Sequence, residues 1–136
     1  MKIITKNTDY AIRALCAIAK DNIIISASKI AKKEKIPLPY LHRVLNKLKK
    51  EKIIESKEGK NGGVKLVKEP SDIKVSDMVR LFQGEIQISQ CIFRKNLCPN
   101  RKKCLLRKKL KKIENSLIKE LDKITIETLT KDREEK

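Results

Sequence analysis

Three cysteines are the residues of this chain best suited to chemistry. Cys91, Cys98 and Cys104 follow the spacing Cys-x6-Cys-x5-Cys in a polar stretch without helical periodicity. Thiolates spread along such an irregular segment can wrap around an iron-sulfur cluster or a zinc ion. A fourth cysteine, Cys16, lies far upstream on an apolar helical stripe, where a free cysteine most often packs in the core. The spacing therefore favours a metal site at the three downstream cysteines.

Five of the residues between these cysteines are basic and none is acidic, which suits a negatively charged group. Their cations favour the thiolate form and offset the charge of thiolates and cluster. The same cations make the thiols reactive when no metal is bound, so metal-free redox sensing stays open, as does an incidental zinc site. The flanking residues are Arg94, Lys95, Arg101, Lys102 and Lys103.

The elements upstream predict a helix-turn-helix. A first amphipathic helix is expected after Thr8, a good N-cap, and Ser28 is expected to cap a brief second helix. The third helix begins at Pro39-Tyr40, and only a short connection separates it from the second. Two short helices joined this closely are typical of the helix-turn-helix. The buried stripe of the third helix is predicted to be Leu41, Val44, Leu45 and Leu48.

A hairpin and a fourth helix complete the first domain. Two short strands, at Ile53-Ile54 and at Val64 to Leu66, flank a turn-rich tip at 57–63. A hairpin directly after a helix-turn-helix is a wing, and the fourth helix then ends at Gly84. We predict a mainly α fold with a winged helix-turn-helix DNA-binding domain at 1–84 and a cysteine-containing, cluster-binding loop at 85–104.

The C-terminal part predicts a long dimerisation helix over 105–130. Its apolar residues recur every three to four positions without Gly or Pro. A helix of about 25 residues would be about 37 Å long, too long to bury its seam on so small a body, so a second subunit is the expected partner. The charged tail at 131–136 is expected to fray.

The charge balance points to a polyanion. Lys and Arg number 34 against 17 Asp and Glu, a formal net charge of +17. Aromatic residues make up only 3%, too few for stacking unpaired bases, so duplex DNA is favoured over single strands. No apolar run approaches a membrane span, and we expect a cytoplasmic protein. Without a Cys-x-x-Cys, a phosphate loop or a His paired with a nucleophile, we do not expect an enzyme.

The basic residues concentrate on the helix-turn-helix. Between Lys29 and Lys52 there are nine Lys or Arg against two Glu. With the apolar stripe turned inward, Arg43 is placed to pair with a guanine edge, and three lysines are placed to hold phosphates. The predicted outward residues of the third helix are Tyr40, His42, Arg43, Asn46 and Lys47, and the phosphate-binding lysines are Lys47, Lys49 and Lys50.

Taken together, these features resemble the Rrf-two family of bacterial winged-helix transcription regulators, which includes the iron-sulfur cluster regulator and the nitric-oxide-sensing repressor. The resemblance implies a homodimer that binds an inverted-repeat operator in double-stranded DNA, with an iron-sulfur cluster on the cysteines controlling its affinity. A metal-free, thiol-based redox-sensing repressor is the alternative. The resemblance rests on Thr8-Asp9-Tyr10-Ala11, Pro39-Tyr40-Leu41, Gly59-Lys60-Asn61-Gly62-Gly63, Phe82-Gln83-Gly84 and the three cysteines.

The fourth cluster ligand departs from part of that family. Where the iron-sulfur cluster regulator has a His three residues after its last Cys, this chain has Arg107, which cannot ligate iron. Other members use an acidic side chain from the first helix of the opposite subunit, and Asp9 matches that position. The competing role for Asp9 is stabilisation of its own helix start. The choice between a 2Fe-2S and a 4Fe-4S cluster stays open.

The DNA-binding residues depart from relatives at two positions. His42 stands where relatives have a Glu or another polar base-reading residue, so we expect a base contact from it. Glu58 stands where many relatives have an Arg for the minor groove, and a carboxylate there would be repelled by phosphate. We expect Lys57 or Lys60 to take over this insertion, or the wing to contribute less.

Overall fold

The structure is a computed structural model of the chain and describes residues 3–21, 24–88 and 105–134. The described residues form a mainly helical fold with a two-stranded antiparallel wing, which confirms the predicted fold class. A short 3-10 helix, Pro70–Asp72, follows the wing. The elements are α1 (Lys6–Asp21), α2 (Ala27–Glu34), α3 (Leu38–Lys50), β1 (Ile54–Lys57), β2 (Gly63–Leu66), α4 (Val75–Gln83), α5 (Leu105–Asp122) and α6 (Ile126–Glu134).

Helix α1 lies at the centre of the core. Its inner face buries Ala11, Ala14, Leu15 and Ile18 completely or almost so. The predicted N-cap is wrong, because α1 already begins at Lys6 and Thr8 is fully buried. The Thr8 hydroxyl instead donates to the side-chain oxygen of Gln83 in α4, 2.6 Å away. Cys16 is buried in the same core, as predicted.

The helix-turn-helix forms at the predicted place, with a different cap. The N-cap of α2 is Ser26, whose hydroxyl oxygen accepts from the amide N–H of Lys29 at 3.2 Å, so the prediction of Ser28 is wrong. Helix α3 begins at Leu38 and carries Pro39 in its first turn. The stripe predicted for this helix is buried and packs against α1 and α2.

The wing pairs β1 with β2 from Ile54 opposite Leu66 to Lys57 opposite Gly63. Ile25, just before α2, adds a bridge to Val64 through two backbone hydrogen bonds of 3.1 and 2.8 Å. This bridge requires glycine at position 63, because a Cβ there would lie 2.3 Å from the Ile25 carbonyl oxygen. The wing is therefore attached to the segment that starts the helix-turn-helix.

The prediction of one continuous helix over 105–130 is wrong. Helix α5 ends at Asp122, and α6 begins at Ile126 after a short turn. The break is stabilised by the start of α4: the Val75 N–H donates to the Ile124 carbonyl at 2.9 Å, and the Ile126 N–H donates to the Ile73 carbonyl at 3.0 Å. Ile126 is thereby fully buried in the core. Helix α6 runs on to Glu134, so residues 131–134 are helical rather than frayed.

Within the parts of the chain that the structure describes, no helix is both long enough and apolar enough to cross a membrane.

Substituting Gly63 tests the attachment of the wing. The Gly63→Ala variant should be less stable by about 1–3 kcal/mol, because its methyl group can be accommodated only by shifting backbone at Ile25. Denaturant unfolding measures this change. The control is Lys60→Ala at the exposed wing tip, which should lie within about 0.5 kcal/mol of the parent. Equal stability of the two variants would contradict the close approach.

Candidate nucleic-acid interface

A short turn, Lys35 to Pro37, sets the angle between α2 and α3. Lys35 adopts a left-handed conformation (φ 55°) that ends α2, and its N–H bonds back to the Ala31 carbonyl. Arg13 of α1 donates from Nη1 to the carbonyl oxygen of Glu34 at 2.9 Å. The turn is thus tied to α1 by a charge-assisted hydrogen bond.

The outward face of α3 carries the side chains that the sequence predicts for DNA contact. Asn46 and Lys50 lie opposite the buried stripe, with Arg43 beside them. His42 and Lys49 flank the edge nearer the wing, whereas Tyr40 and Lys47 flank the other edge. All of these side chains are exposed except that of Lys49, which is half-buried. The structure therefore brings the predicted residues of α3 onto one continuous surface.

The positive charge on this surface has no carboxylate partner in the part of the chain that the structure describes. Among the described residues, no carboxylate lies within ion-pair distance of Arg43, Lys47 or Lys50. Arg43 instead places its guanidinium 5.7 Å from the centre of the Tyr40 ring. The cations of α3 remain available to a polyanion.

The wing lies beside the C-terminal end of α3. Lys57 and Lys60 are exposed near its tip, and so is Glu58 between them. An open groove of about 390 Å³ separates α3 from the wing, lined by Lys49, Lys52, Ile54, Glu55, Ser56 and Val67. Two lysines and a hydroxyl on its walls can contact a phosphate, and the Glu55 carboxylate on the same groove is paired with Lys65 at 3.0 Å.

Asp9, the predicted fourth ligand, lies in the first turn of α1 and is exposed. Its Oδ2 accepts from both Arg13 Nε at 3.1 Å and Arg13 Nη2 at 3.0 Å. Asp9 therefore pairs with Arg13 four residues further along the same helix, and Arg13 joins this pair to the helix-turn-helix through Glu34.

Cys91, Cys98 and Cys104 lie outside the described residues. The described neighbours on both sides connect to α5: Leu105 begins the helix, and the Ile88 N–H donates to Glu114 Oε1 at 3.3 Å. Glu114 lies nine residues beyond Leu105 in α5, or about 14 Å along the axis. Within the described residues, no group of three or more His, Cys, Asp or Glu is arranged to hold a metal.

Two residues outside this surface, Gln83 and Glu114, make contacts that the sequence does not reveal. Gln83 accepts from the Thr5 N–H at 2.9 Å as well as from Thr8, and donates to the Ile3 carbonyl at 2.9 Å. Glu114 is buried although it is charged. The sequence does carry a signal for the ion pair of Asp9 with Arg13, because residues four apart lie on one face of a helix.

A winged helix-turn-helix with an unneutralised basic recognition helix defines a DNA-binding transcription regulator. The family model Rrf2, described as an iron-dependent transcriptional regulator, matches residues 4–132. The chain belongs to the Rrf2 family, the Rrf-two family of the sequence analysis.

Individual relatives agree with this membership. The chain is 29% identical over 133 residues to the HTH-type transcriptional regulator NsrR of Oceanobacillus iheyensis, covering 96% of this chain and 90% of the relative. It superposes on the structure of T. potens IscR with a TM-score of 0.78 at 26% identity, covering 99% of this chain and 90% of that one. The fold also matches CymR, the global cysteine regulator of B. subtilis, with a TM-score of 0.78 at 23% identity, covering 96% and 98%.

Two substitutions on α3 separate base reading from phosphate binding. In binding-site selection from a random duplex library, Arg43→Ala should relax the preference at one position of the selected site, because a bidentate guanine contact is lost. Lys50→Ala is the matched control: it should weaken binding to all sequences and lower the salt slope by about 1. Uniform weakening in Arg43→Ala would contradict its base-reading role.

Proposed function

We propose that the chain is a cytoplasmic, homodimeric transcription regulator, a repressor without enzymatic activity, whose operator binding is controlled by an iron-sulfur cluster. The unneutralised outward face of α3 is the observation that carries the DNA-binding half. On this proposal, Arg43, His42 and Asn46 contact bases in the major groove of an inverted-repeat site. The wing presents Lys57 or Lys60 to the neighbouring minor groove.

The proposed cluster ligands are Cys91, Cys98 and Cys104, with Asp9 from the opposite subunit as the fourth. Soft thiolates with one harder oxygen ligand make a donor set that suits iron. When bound, the cluster supplies a group whose state changes with iron, oxygen or a reactive small molecule. The description of the matched family as iron-dependent supports the choice of metal. The hydrogen bond from Ile88 to Glu114 and the start of α5 at Leu105 bring the described residues on both sides of the cysteines to α5, which supports a cluster site next to this helix.

Arg13 connects Asp9, the proposed fourth ligand, to the helix-turn-helix. The Asp9 carboxylate that would hold iron already accepts from Arg13, so ligation would compete with this ion pair. The hydrogen bond from Arg13 to Glu34 at the end of α2 would not depend on Asp9. The two states of Asp9 would hold the helix-turn-helix differently relative to α1, which is the bias a ligand-controlled switch requires.

The cofactor is tested on protein purified without oxygen. The parent should show visible absorption, iron and acid-labile sulfide, and Cys98→Ser should lose most of all three because a ligand is removed. Cys16→Ala is the control, since Cys16 is buried in the core and should not affect iron content. A colourless parent protein would overturn the cluster. If thiol oxidation then changes its DNA binding, the metal-free redox-sensing repressor is the function.

The proposed dimer contact is the exposed apolar seam of α5. Leu106 and Ile113 are exposed, and Leu110 between them is half-buried. The spacing of four and three residues puts them on one narrow stripe, the pattern of helices that pair. Lys108 and Lys112 lie on the opposite face, so a second copy can cover the seam without burying their charges. The length of α5, 18 residues or about 27 Å, gives such a pairing enough contact.

Charge on the seam should separate the subunits. Ile113→Lys should shift the protein from dimer to monomer in analytical ultracentrifugation and weaken operator binding at least tenfold, because one half-site contact is lost from the pair. Asn115→Lys adds the same charge on the opposite, exposed face of α5 and should stay dimeric. A dimer that survives Ile113→Lys would contradict this seam.

A further inference from the structure

Every Tyr and Phe ring among the described residues has a cation within 6 Å of its centre. Arg13 lies 5.3 Å from the centre of the Tyr10 ring, and Lys47 Nζ lies 5.3 Å from the centre of the Phe82 ring. Together with Arg43 over Tyr40, three cation–ring contacts occur in a region that contains three aromatic side chains. Such contacts arise about once per 70–80 residues on average, so their concentration around α3 is a feature of this surface.

Two of the three contacts lie along one edge of the recognition helix, and the third lies next to this edge on α1. Tyr40, Arg43 and Lys47 are spaced by three and four residues and therefore share the edge of α3 away from the wing. The rings of Tyr10 and Tyr40 are 6.3 Å apart at their centres, which joins α1 to the start of this edge. Phe82 comes from α4 and reaches the other end of the edge at Lys47.

The end of α4, which carries Phe82, is fixed by hydrogen bonds and by packing. Its neighbour Gln83 makes three hydrogen bonds, to Thr5, Thr8 and Ile3, that fix the end of α4 against the N-terminal segment. Phe82 itself is half-buried and packs against the main core. A lysine side chain alone has four rotatable bonds, whereas an ammonium held over a fixed ring samples fewer positions.

From this geometry we propose that Phe82 is a positioning residue for DNA binding, holding the Lys47 ammonium at the edge of α3 for a phosphate of the duplex. The inference rests on the proposed DNA-binding function and adds a residue that does not itself contact DNA. The edge of a helix in the major groove faces the sugar-phosphate backbone rather than the base edges. Holding Lys47 in advance lowers the cost of ordering its side chain on binding.

Binding to a mixed-sequence DNA duplex, measured with the full chain over a range of salt concentrations, tests the proposal. A phosphate contact is independent of sequence, so the operator is not needed. Lys47→Ala should lower the salt slope by about 0.9. Phe82→Leu should weaken binding about two- to fivefold, the size of one cation–ring contact. Phe82→Tyr keeps a ring and should bind within about twofold of the parent.

A double-mutant cycle separates positioning from a merely structural role. In the Lys47→Ala background, Phe82→Leu should have no further effect on affinity, because no ammonium is left to hold. If Phe82→Leu weakens both backgrounds equally, or weakens neither, the inference is overturned. A loss of binding in Lys47→Ala smaller than the error overturns it too. A parent protein that does not bind duplex DNA at all would instead refute the proposed function.

Discussion

The position of the recognition helix depends on how closely the other elements can approach α1. Helices α2, α3, α4 and α6 and strand β2 all contact it. Ala11, Ala14 and Ala17 are buried on α1, where their small side chains leave room for neighbouring backbones. Larger side chains would force these elements apart, since close-packed interiors tolerate little added volume. The position of α3 is thus set in part by small side chains on α1.

The cations of the protein have two kinds of partner: some pair with carboxylates, and others lie over aromatic rings. The ion pairs of Lys65 with Glu55, Lys123 with Glu120 and Lys131 with Glu127 join exposed side chains, and such pairs contribute little to stability. Arg43 and Lys47 of α3 instead lie over aromatic rings, with no carboxylate of the described residues within ion-pair distance. A ring orders a cation without cancelling its charge, so the field that attracts DNA is preserved.

The two proposed halves of the protein meet at α1 and α5. Arg13 connects the exposed carboxylate of Asp9 with the end of α2, and Glu114 connects the residue before the cysteine segment with α5. Both connections use a charged group hydrogen-bonded to backbone, an interaction stronger than one between neutral partners. Each is short-range and directional, which is what allows a change at one group to bias the position of a helix.

Local patterns determined the helix-turn-helix, the wing and the outward face of α3. Three signals act within a few residues: the apolar periodicity of α3, the turn residues of the wing, and the glycine that ends α4. Because they are local, they can be recognised from the sequence alone. The three-cysteine spacing and the Rrf2 motifs were legible for the same reason. The class of protein therefore followed from the sequence.

Only the tertiary structure decided the features that join distant segments. Thr8 does not cap α1 as expected; its hydroxyl donates to Gln83, which lies 75 residues away in sequence. The break after Asp122 arose because pairing with the start of α4 and burial of Ile126 outweighed a periodicity that favoured a continuous helix. The contact of Lys47 with Phe82 likewise joins two helices. These contacts depend on which residues are close in space, and tertiary packing alone brings such distant residues together.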